Sequence, residues 1–551
     1  MVDVMPALPS ILLLLAATAD LRACRLWAHV ARGTAMAAAL ASAWVVYTNG
    51  ALTLHLYRWM QEEDLLLDAG FYCDGVRAAL LVAVVFWVVV APLVTSKSEG
   101  RSTTALDLAG AGAAVAVVAE GHLLRLGGAE MLLVVSFLYV ARRAPTETAR
   151  RLLFSTRLAG LLVVATLVLA ATTAAAWVAL LAALVLVGSW PFHTWLQDVG
   201  EGDAATGIRL ASVATGVALL LSHAERLPTL ALPALAVAAI VAVVGALATQ
   251  ELFRARMLVS SAQGSLVLAA AIVDPVAALL LFAVCGATQV THAVGLGRIA
   301  AALPTVLQRF PDLGGLRTVL PGVFRTALAA TLLAGLSPTS LWAHARMAEW
   351  GMTQAGQAGA AFVAVLFALP ILPLARLSLM PFSGAVRHTT VSSQPEPVVP
   401  RWMNVVVLLF VAGPPAAIAW SVSGQPVSMP VIFSAGAAAL LCAIGPLLWR
   451  REPRNVTPAD SSLRLLFADG LGISWVLIVT AIAIEASARF VWTAIDGVLL
   501  GGIPFLLNLA TRMSGWLLAR LHDGWSGWAV AVALGIASIL LWSMQAGRGT
   551  W

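Results

Sequence analysis

Leu186-Val-Gly-Ser-Trp-Pro-Phe-His-Thr-Trp-Leu-Gln-Asp-Val-Gly-Glu-Gly-Asp203 joins two apolar segments, 177–190 before it and 204–221 after it. Pro191 has no N–H and crowds the preceding turn, so a helix crossing it kinks or breaks. Asp198, Glu201 and Asp203 make the connection polar. In hydrocarbon, backbone groups freed from a helix survive only where protein buries them or where they line a wet cavity. Two half-helices about a polar hinge are what an ion-handling subunit needs. A plain loop between two spans is the other reading of this spacing.

Outward from that stretch, the whole chain is apolar. Its 551 residues are 60% hydrophobic and 11% charged, which excludes a soluble globule of ordinary composition. Runs of roughly 15 to 22 apolar residues recur, and each long one can cross a ~30 Å hydrocarbon core as a helix. They lack the polar face that a soluble amphipathic helix carries at helical period. The expected class is an all-α polytopic membrane protein with roughly 14 to 16 transmembrane helices. The formal charge of +6 sits in short basic clusters between apolar runs, a positive-inside pattern that implies no nucleic acid. Cys24, Cys73, Cys285 and Cys442 are scattered, so neither a disulfide framework nor a zinc site is supported.

In chain order, residues 6–18 read as the first membrane helix. The stretch lacks the basic region of a signal peptide and runs on into further spans. Arg22, Arg25 and Arg32 follow as a basic connection, and a span at 35–47 leads into an acidic loop with Glu62, Glu63, Asp64 and Asp68. Basic connections face the cytoplasm, which puts the N-terminus outside, in the inner (cytoplasmic) membrane of a bacterium. Spans at 76–94, 106–118 and 122–140 come next, and Arg142, Arg143, Arg150 and Arg151 agree with that orientation. Within the last of these lies Gly127-Gly-Ala-Glu-Met131. A carboxylate in mid-span, here Glu130, is costly and marks a functional position by default. Further spans fall at 360–379, 402–420 and 430–449, with polar connectors at 395–401 and 450–462. In the tail, Arg489, Asp496, Asn508, Arg512 and Arg520 interrupt the apolarity before a last span at 528–542, which favours a helix resting on protein over two ordinary spans.

Pro191-Phe-His-Thr-Trp-Leu196, then Asp198 and Glu201-Gly202, resembles the P-x-x-T-W-L-x-D-x-x-E-G signature of the antiporter-like subunits of respiratory complex I, a family that includes the large Mrp sodium/proton antiporter subunits. Phe71-Tyr-Cys-Asp74 resembles the family's approach to its third helix, with Asp74-Gly75 in place of Asp-Pro. Gly127-Gly-Ala-Glu-Met131 resembles the segment around its intramembrane glutamate, and Glu251-Leu-Phe-Arg254 with Ser260-Ser-Ala-Gln263 resembles the opening of the span after its midpoint. Gly335-Leu-Ser-Pro-Thr-Ser-Leu-Trp342, preceded by Asp312-Leu-Gly-Gly-Leu-Arg317, resembles the second broken helix. The tail from Leu466 resembles the C-terminal arm of the L-type subunit.

The resemblance implies two inverted five-helix repeats with breaks at Pro191 and Pro338, and a C-terminal lateral amphipathic helix. It divides the chain into N-terminal helices (1–100), a first repeat (101–250), a second repeat (251–390), additional helices and loops (391–462), and a lateral helix with its anchor (463–551). It implies a proton path or channel lined by Glu130, Arg209, Gln289, His344 and Arg346. The family's relay lysines are absent: Leu186, Gln289 and Ala345 stand where they would fall, and the chain contains a single lysine, Lys97. Arginine holds its proton where lysine can release it, so the arginines cannot replace the relay. His193, His292 and His344 titrate nearer neutral pH, though each reads more simply as a hydrogen-bonded helix-end residue.

The first functional reading is therefore a membrane subunit of a complex I-like, L-type assembly, acting in proton translocation or its conformational coupling with a degenerate relay. Its expected partners are other membrane subunits, protons or other small ions, and the lipid bilayer. No cofactor, metal or catalytic site of its own is expected, because the chain has neither a Cys cluster nor a glycine-rich phosphate loop. Two alternatives stay open: a coupling subunit of a two-component inorganic-carbon uptake system, and a non-conducting scaffold.

Overall fold

A computed structural model describes residues 2–382 apart from short segments at 23, 63–64, 95–99, 170–171, 201–202, 228–229 and between 303 and 319, together with 431–432, 436–442 and a few residues near 509. The chain divides into two compact units, Met1–Ile478 and Val479–Trp551. The expected spans at 402–420 and 528–542, the lateral helix and both polar connectors lie outside the described residues, as does most of the span at 430–449.

The first unit is helical. Its helices are α1 (Leu8–Leu21), α2 (Arg25–Asn49), α3 (Gly75–Val94), α4 (Gly100–Val118), α5 (His122–Ala141), α6 (Thr146–Val168), α7 (Thr173–Val187), α8 (Thr194–Asp198) and α9 (Asp203–Leu221). There follow α10 (Ala231–Ala248), α11 (Leu252–Val273), α12 (Pro275–Ala302), α13 (Pro321–Leu336), α14 (Pro338–Ala368) and α15 (Ile371–Leu379). Among the described residues nine segments are long and apolar enough to cross a membrane. One of them, Gly322–Phe382, contains α13, α14 and α15. Ala355 and Gly356 leave helical geometry inside α14, and Gly351 lies against the Gly359 backbone. Residues eight apart on a straight helix stand about 12 Å apart, so α14 folds back on itself as a helical hairpin.

Two sequence expectations are corrected. The acidic loop is an antiparallel hairpin, β1 (Leu52–Glu62) with β2 (Leu65–Cys73), in register from Leu52 opposite Cys73 to Glu62 opposite Leu65. The alternation of Leu52, Leu54 and Leu56 with Thr53 and His55 is a strand period. Arg25 and Arg32 belong to α2 rather than to a loop. Arg32 is buried and donates to Asp107 of α4 with both Nε (2.9 Å) and Nη2 (2.7 Å). Nη2 also meets Asp20 at the end of α1, which Thr103 Oγ1 holds at 2.6 Å. The clustered charge reads as a loop in sequence; pairing with Asp20 and Asp107 lets Arg32 be buried within a helix.

The interior is arranged by how far each helix is enclosed. The apolar windows of α12, α9 and α11 are 100%, 94% and 89% buried, against 28% for α2. Helices surrounded by protein carry the hydroxyls and amides, including Thr206, Ser212, Ser261, Ser265, Thr288 and Gln289, because only protein neighbours can pair them. Outer helices present Leu, Val and Trp, among them Leu15, Trp27, Trp44 and Leu161. Close packing uses small residues: α4 and α5 cross at Gly112 and Gly128, where a Cβ on either would press on the other's carbonyl oxygen. Arg376 of α15 donates from Nη1 to the carbonyls of Ala246 (3.2 Å), Leu247 (2.6 Å) and Thr249 (3.0 Å), closing the C-terminal end of α10.

Removing Arg32 would leave Asp20 and Asp107 buried together. Breaking a buried ion pair from one side costs about 3–5 kcal/mol. Arg32→Met is expected to lower the unfolding midpoint in mixed detergent micelles by that order, with Arg32→Lys intermediate. Unchanged midpoints for both would show that the triad contributes nothing to stability.

Candidate functional site

The first break begins where α7 runs out at Val187. Gly188 takes the left-handed conformation, φ 67° and ψ 39°, and a Cβ there would meet Leu196 Cγ at 2.5 Å. Glycine alone suits both the conformation and the space. The Trp190–Pro191 peptide is cis, and the chain turns with Phe192 N donating to the Ser189 carbonyl at 2.7 Å. α8 then packs against α6 and α11, with Trp195 and Leu196 reaching back to the end of α7.

Several carbonyls near the break find partners, while Trp190 Nε1, Thr194 Oγ1 and Gln197 Nε2 make no hydrogen bond among the described residues. Ser189 N reaches the Leu184 carbonyl at 2.9 Å, Trp195 Nε1 the Val185 carbonyl at 2.6 Å, and Ser212 Oγ the Leu186 carbonyl at 2.6 Å. Arg151 of α6 grips Asp198 with Nε at 2.8 Å from Oδ2 and a second, shorter contact through Nη2. Arg209 of α9 is almost wholly buried and donates to the Gly200 carbonyl at 2.8 Å and to Thr206 Oγ1 at 3.0 Å. It serves the hinge backbone.

Glu130 lies elsewhere, on α5. Counting about 1.5 Å per residue puts it ~12 Å inside that helix, and its partner is Arg157 of α6, Nη1 to Oε2 at 2.9 Å. The two side chains are 30% and 44% exposed on the outer face of the bundle. The Glu130 carboxylate fills the notch left by Gly160, where any Cβ would overlap Oε1. A charged group at the centre of a lipid-facing helix costs roughly 2.5–3.5 kcal/mol, which pairing offsets. At the absent-lysine position, Leu186 packs with Leu133, Ala159, Val163 and Phe192. Arg157 was not singled out from sequence, although an arginine midway along an apolar run is the same kind of signal as Glu130.

The second break falls between α13 and α14. Ser337 is extended and its side chain accepts from Ser340 N at 3.1 Å, so it caps α14 with Pro338 in the first turn. Ser340 Oγ bonds back to the Ala334 carbonyl across the break. Two turns into α14, His344 is buried, its Nδ1 has no hydrogen-bond partner, and its ring meets Phe367 edge-on at 6.4 Å. It lines a cavity of about 30 Å³ with Gln263, Cys285, Pro370 and Leu374, room for about one or two waters.

Beside the cavity, Gln263 Nε2 donates to Thr288 Oγ1 (3.2 Å), Cys285 Sγ to Gln263 Oε1 (3.6 Å), and Gln289 Nε2 to Cys285 Sγ (3.0 Å). Arg256 Nη2 reaches the Gln289 carbonyl at 3.1 Å. Gln289 is thus joined by hydrogen bonds to Cys285 and Gln263, and His344 shares the cavity with those two. Arg346 is not part of this chain of contacts. It pairs with Asp274, which caps α12 by accepting from Val276 N at 2.9 Å. Buried His193 belongs to the first break, and His292 approaches Ser378 Oγ at 3.5 Å. No group of three or more metal-ligating side chains occurs among the described residues.

Gly188→Ala places a side chain in a left-handed conformation that costs about 1–2 kcal/mol and drives Leu196 out of place. The variant is expected to unfold earlier in detergent, and a cysteine introduced at position 197 is expected to label faster with thiol reagents. Equal labelling in both backgrounds would show that the break tolerates a Cβ.

No family model matches the sequence, and no curated protein matches it. Structural comparison does find a relative in fold: a chain in the structure of the Mrp complex from Dietzia sp. DQ12-45-1b, at 15% sequence identity and a TM-score of 0.59, covering 87% of this chain and 99% of that one. By its helices and by this likeness, the chain is a multi-pass membrane protein whose fold is similar to that of an Mrp complex subunit.

Proposed function

We propose that the chain is an antiporter-like membrane subunit of a multi-subunit, complex I-like assembly of L type, acting in proton translocation or its conformational coupling. The observation that carries this reading is the pair of helix breaks at Pro191 and Pro338, each surrounded by buried polar side chains, within a fold similar to an Mrp complex subunit over most of its length. Breaks of this kind free backbone dipoles at depth and mark where transporters handle ions. In this reading the second repeat keeps a polar thread through His344, Cys285, Gln263 and Gln289, with room for water. The first repeat keeps Glu130 but pairs it with Arg157, which holds its proton. Arg209 and Arg346 then act as positioning residues, one on the hinge backbone and one on the turn before α12. The inverted-repeat organisation and the lateral helix belong to the same proposal.

The partly exposed Glu130–Arg157 pair also supports an assembly, since a neighbouring subunit satisfies such a surface better than lipid does. Purification in mild detergent is expected to recover other membrane subunits. In the reconstituted assembly, Glu130→Gln is expected to abolish proton flux with assembly intact, and His344→Phe, which fills the cavity, to lower it about tenfold or more. The leucine cluster around Leu186 favours a second reading in which the subunit conducts nothing and acts as a scaffold. Flux unchanged in both variants would select it.

A further inference from the structure

The hairpin-side ends of α3, α5 and α9 gather cationic side chains that the proton-handling reading does not use. α5 begins at His122 behind Gly121, and no side chain caps its first turn. Its unbonded N–H groups and helix dipole favour negative charge at that end. Arg125, one turn in, bends back toward it: Nη2 donates to the Ala119 carbonyl at 2.8 Å. The residue is only 4% exposed, yet its Nε has no hydrogen-bond partner. Among the described residues no carboxylate pairs with it, and the charge that acts on it is another cation, Arg77.

The neighbouring side chains are basic as well. His122 and His223 stand with ring centroids 6.0 Å apart, and Arg226 lies within electrostatic reach of both. His223 donates its Nδ1 hydrogen to the Leu219 carbonyl at 3.1 Å, which leaves Nε2 of the neutral ring as an acceptor. Burial holds the His223 pKa below its ordinary value, the Leu219 carbonyl opposes this, and Arg125 and Arg226 add to the lowering. Arg77 is anchored over the Tyr72 ring at 4.9 Å and donates to Ser222 Oγ at 3.4 Å. Of the nearby carboxylates, Asp74 accepts from Arg77 N at 2.8 Å, while Glu120 faces His55 at 3.4 Å and its buried Oε2 makes no hydrogen bond among the described residues.

A buried guanidinium without an anionic partner is costly, and here the surroundings add to that cost. We propose that this cluster is a binding site for a small oxyanion of phosphate or carboxylate type, held by Arg125 and the first-turn N–H groups of α5, with His122 and His223 beside them. Helix N-termini bind such groups through aligned N–H donors, and a guanidinium adds charge-assisted bonds of matching geometry. The oxyanion is either a free ion or the headgroup of an anionic lipid, and both present the same oxygens. The site stands apart from the helix breaks and does not depend on whether the subunit conducts protons.

Full-length protein in detergent is titrated with inorganic phosphate and with bicarbonate, against chloride at equal ionic strength, and its melting temperature followed. A saturable rise with an oxyanion but not with chloride is expected, weakened about tenfold or more in Arg125→Gln. Because Arg125 is buried, a double variant at the rim, His122→Asn with Arg226→Gln, is measured beside it and is expected to weaken the response while leaving the anion-free melting temperature unchanged. Native mass spectrometry separates the sources. No response to free oxyanions, with an anionic phospholipid retained on the wild type and lost from both variants, assigns the site to a headgroup. A response that persists unchanged in both variants, or binding of neither free oxyanion nor anionic lipid, overturns the proposal.

Discussion

A chain that leaves the helical path inside a bilayer must find partners for every backbone N–H and C=O it frees, and the arrangement around Pro191 follows from that demand. Ser189, Trp195, Ser212 and Arg209 each supply a donor to a carbonyl near the break. They come from α8, α9 and the turn itself, so the break exists only inside a bundle that already encloses α9 and α11. The second break follows the same rule with fewer parts, a Ser337 cap and the Ser340 bond back to Ala334. Interrupted helices and a polar interior are thus one structural fact seen from two sides.

Charge obeys a similar logic. Arg32 is matched by Asp20 and Asp107, Arg151 by Asp198, Arg346 by Asp274, and Glu130 by Arg157. Each pair ties one element to another, and Arg32–Asp107 and Arg346–Asp274 join elements distant in sequence. In a chain with a single lysine, these arginines cannot shed protons, so they act as fixed positive charges that hold helices in place. The His344 cavity, by contrast, is lined by uncharged polar groups, Gln263 and Cys285 among them.

Much of the fold was legible in the sequence because a bilayer sets a coarse requirement. Apolar runs of sufficient length become spans, which is why 76–94 and 122–140 lie within a residue or so of the observed α3 and α5. Where the sequence was misread, a local signal was weighed without its partner. Arg25 and Arg32 looked like loop residues because three arginines fell close together, and nothing nearby in sequence shows that Asp107 awaits one of them. The hairpin was overshadowed by its acidic residues, although Leu52, Leu54 and Leu56 carry the strand period.

Composition and spacing alone determined that this is a multi-pass helical membrane protein, that two prolines interrupt its helices at polar stretches, and that no lysine relay runs through it. These are properties of residue type and order, since hydrocarbon thickness and the missing proline N–H act on any chain that carries them. Tertiary structure alone decided which charges meet. It placed Glu130 beside Arg157 on an outer face, set His344 on a cavity shared with Cys285 and Gln263, and left Arg125 buried near Arg77. Those outcomes depend on the rotation of each helix about its axis and on which helices become neighbours, and both are set by close packing between segments far apart in the chain.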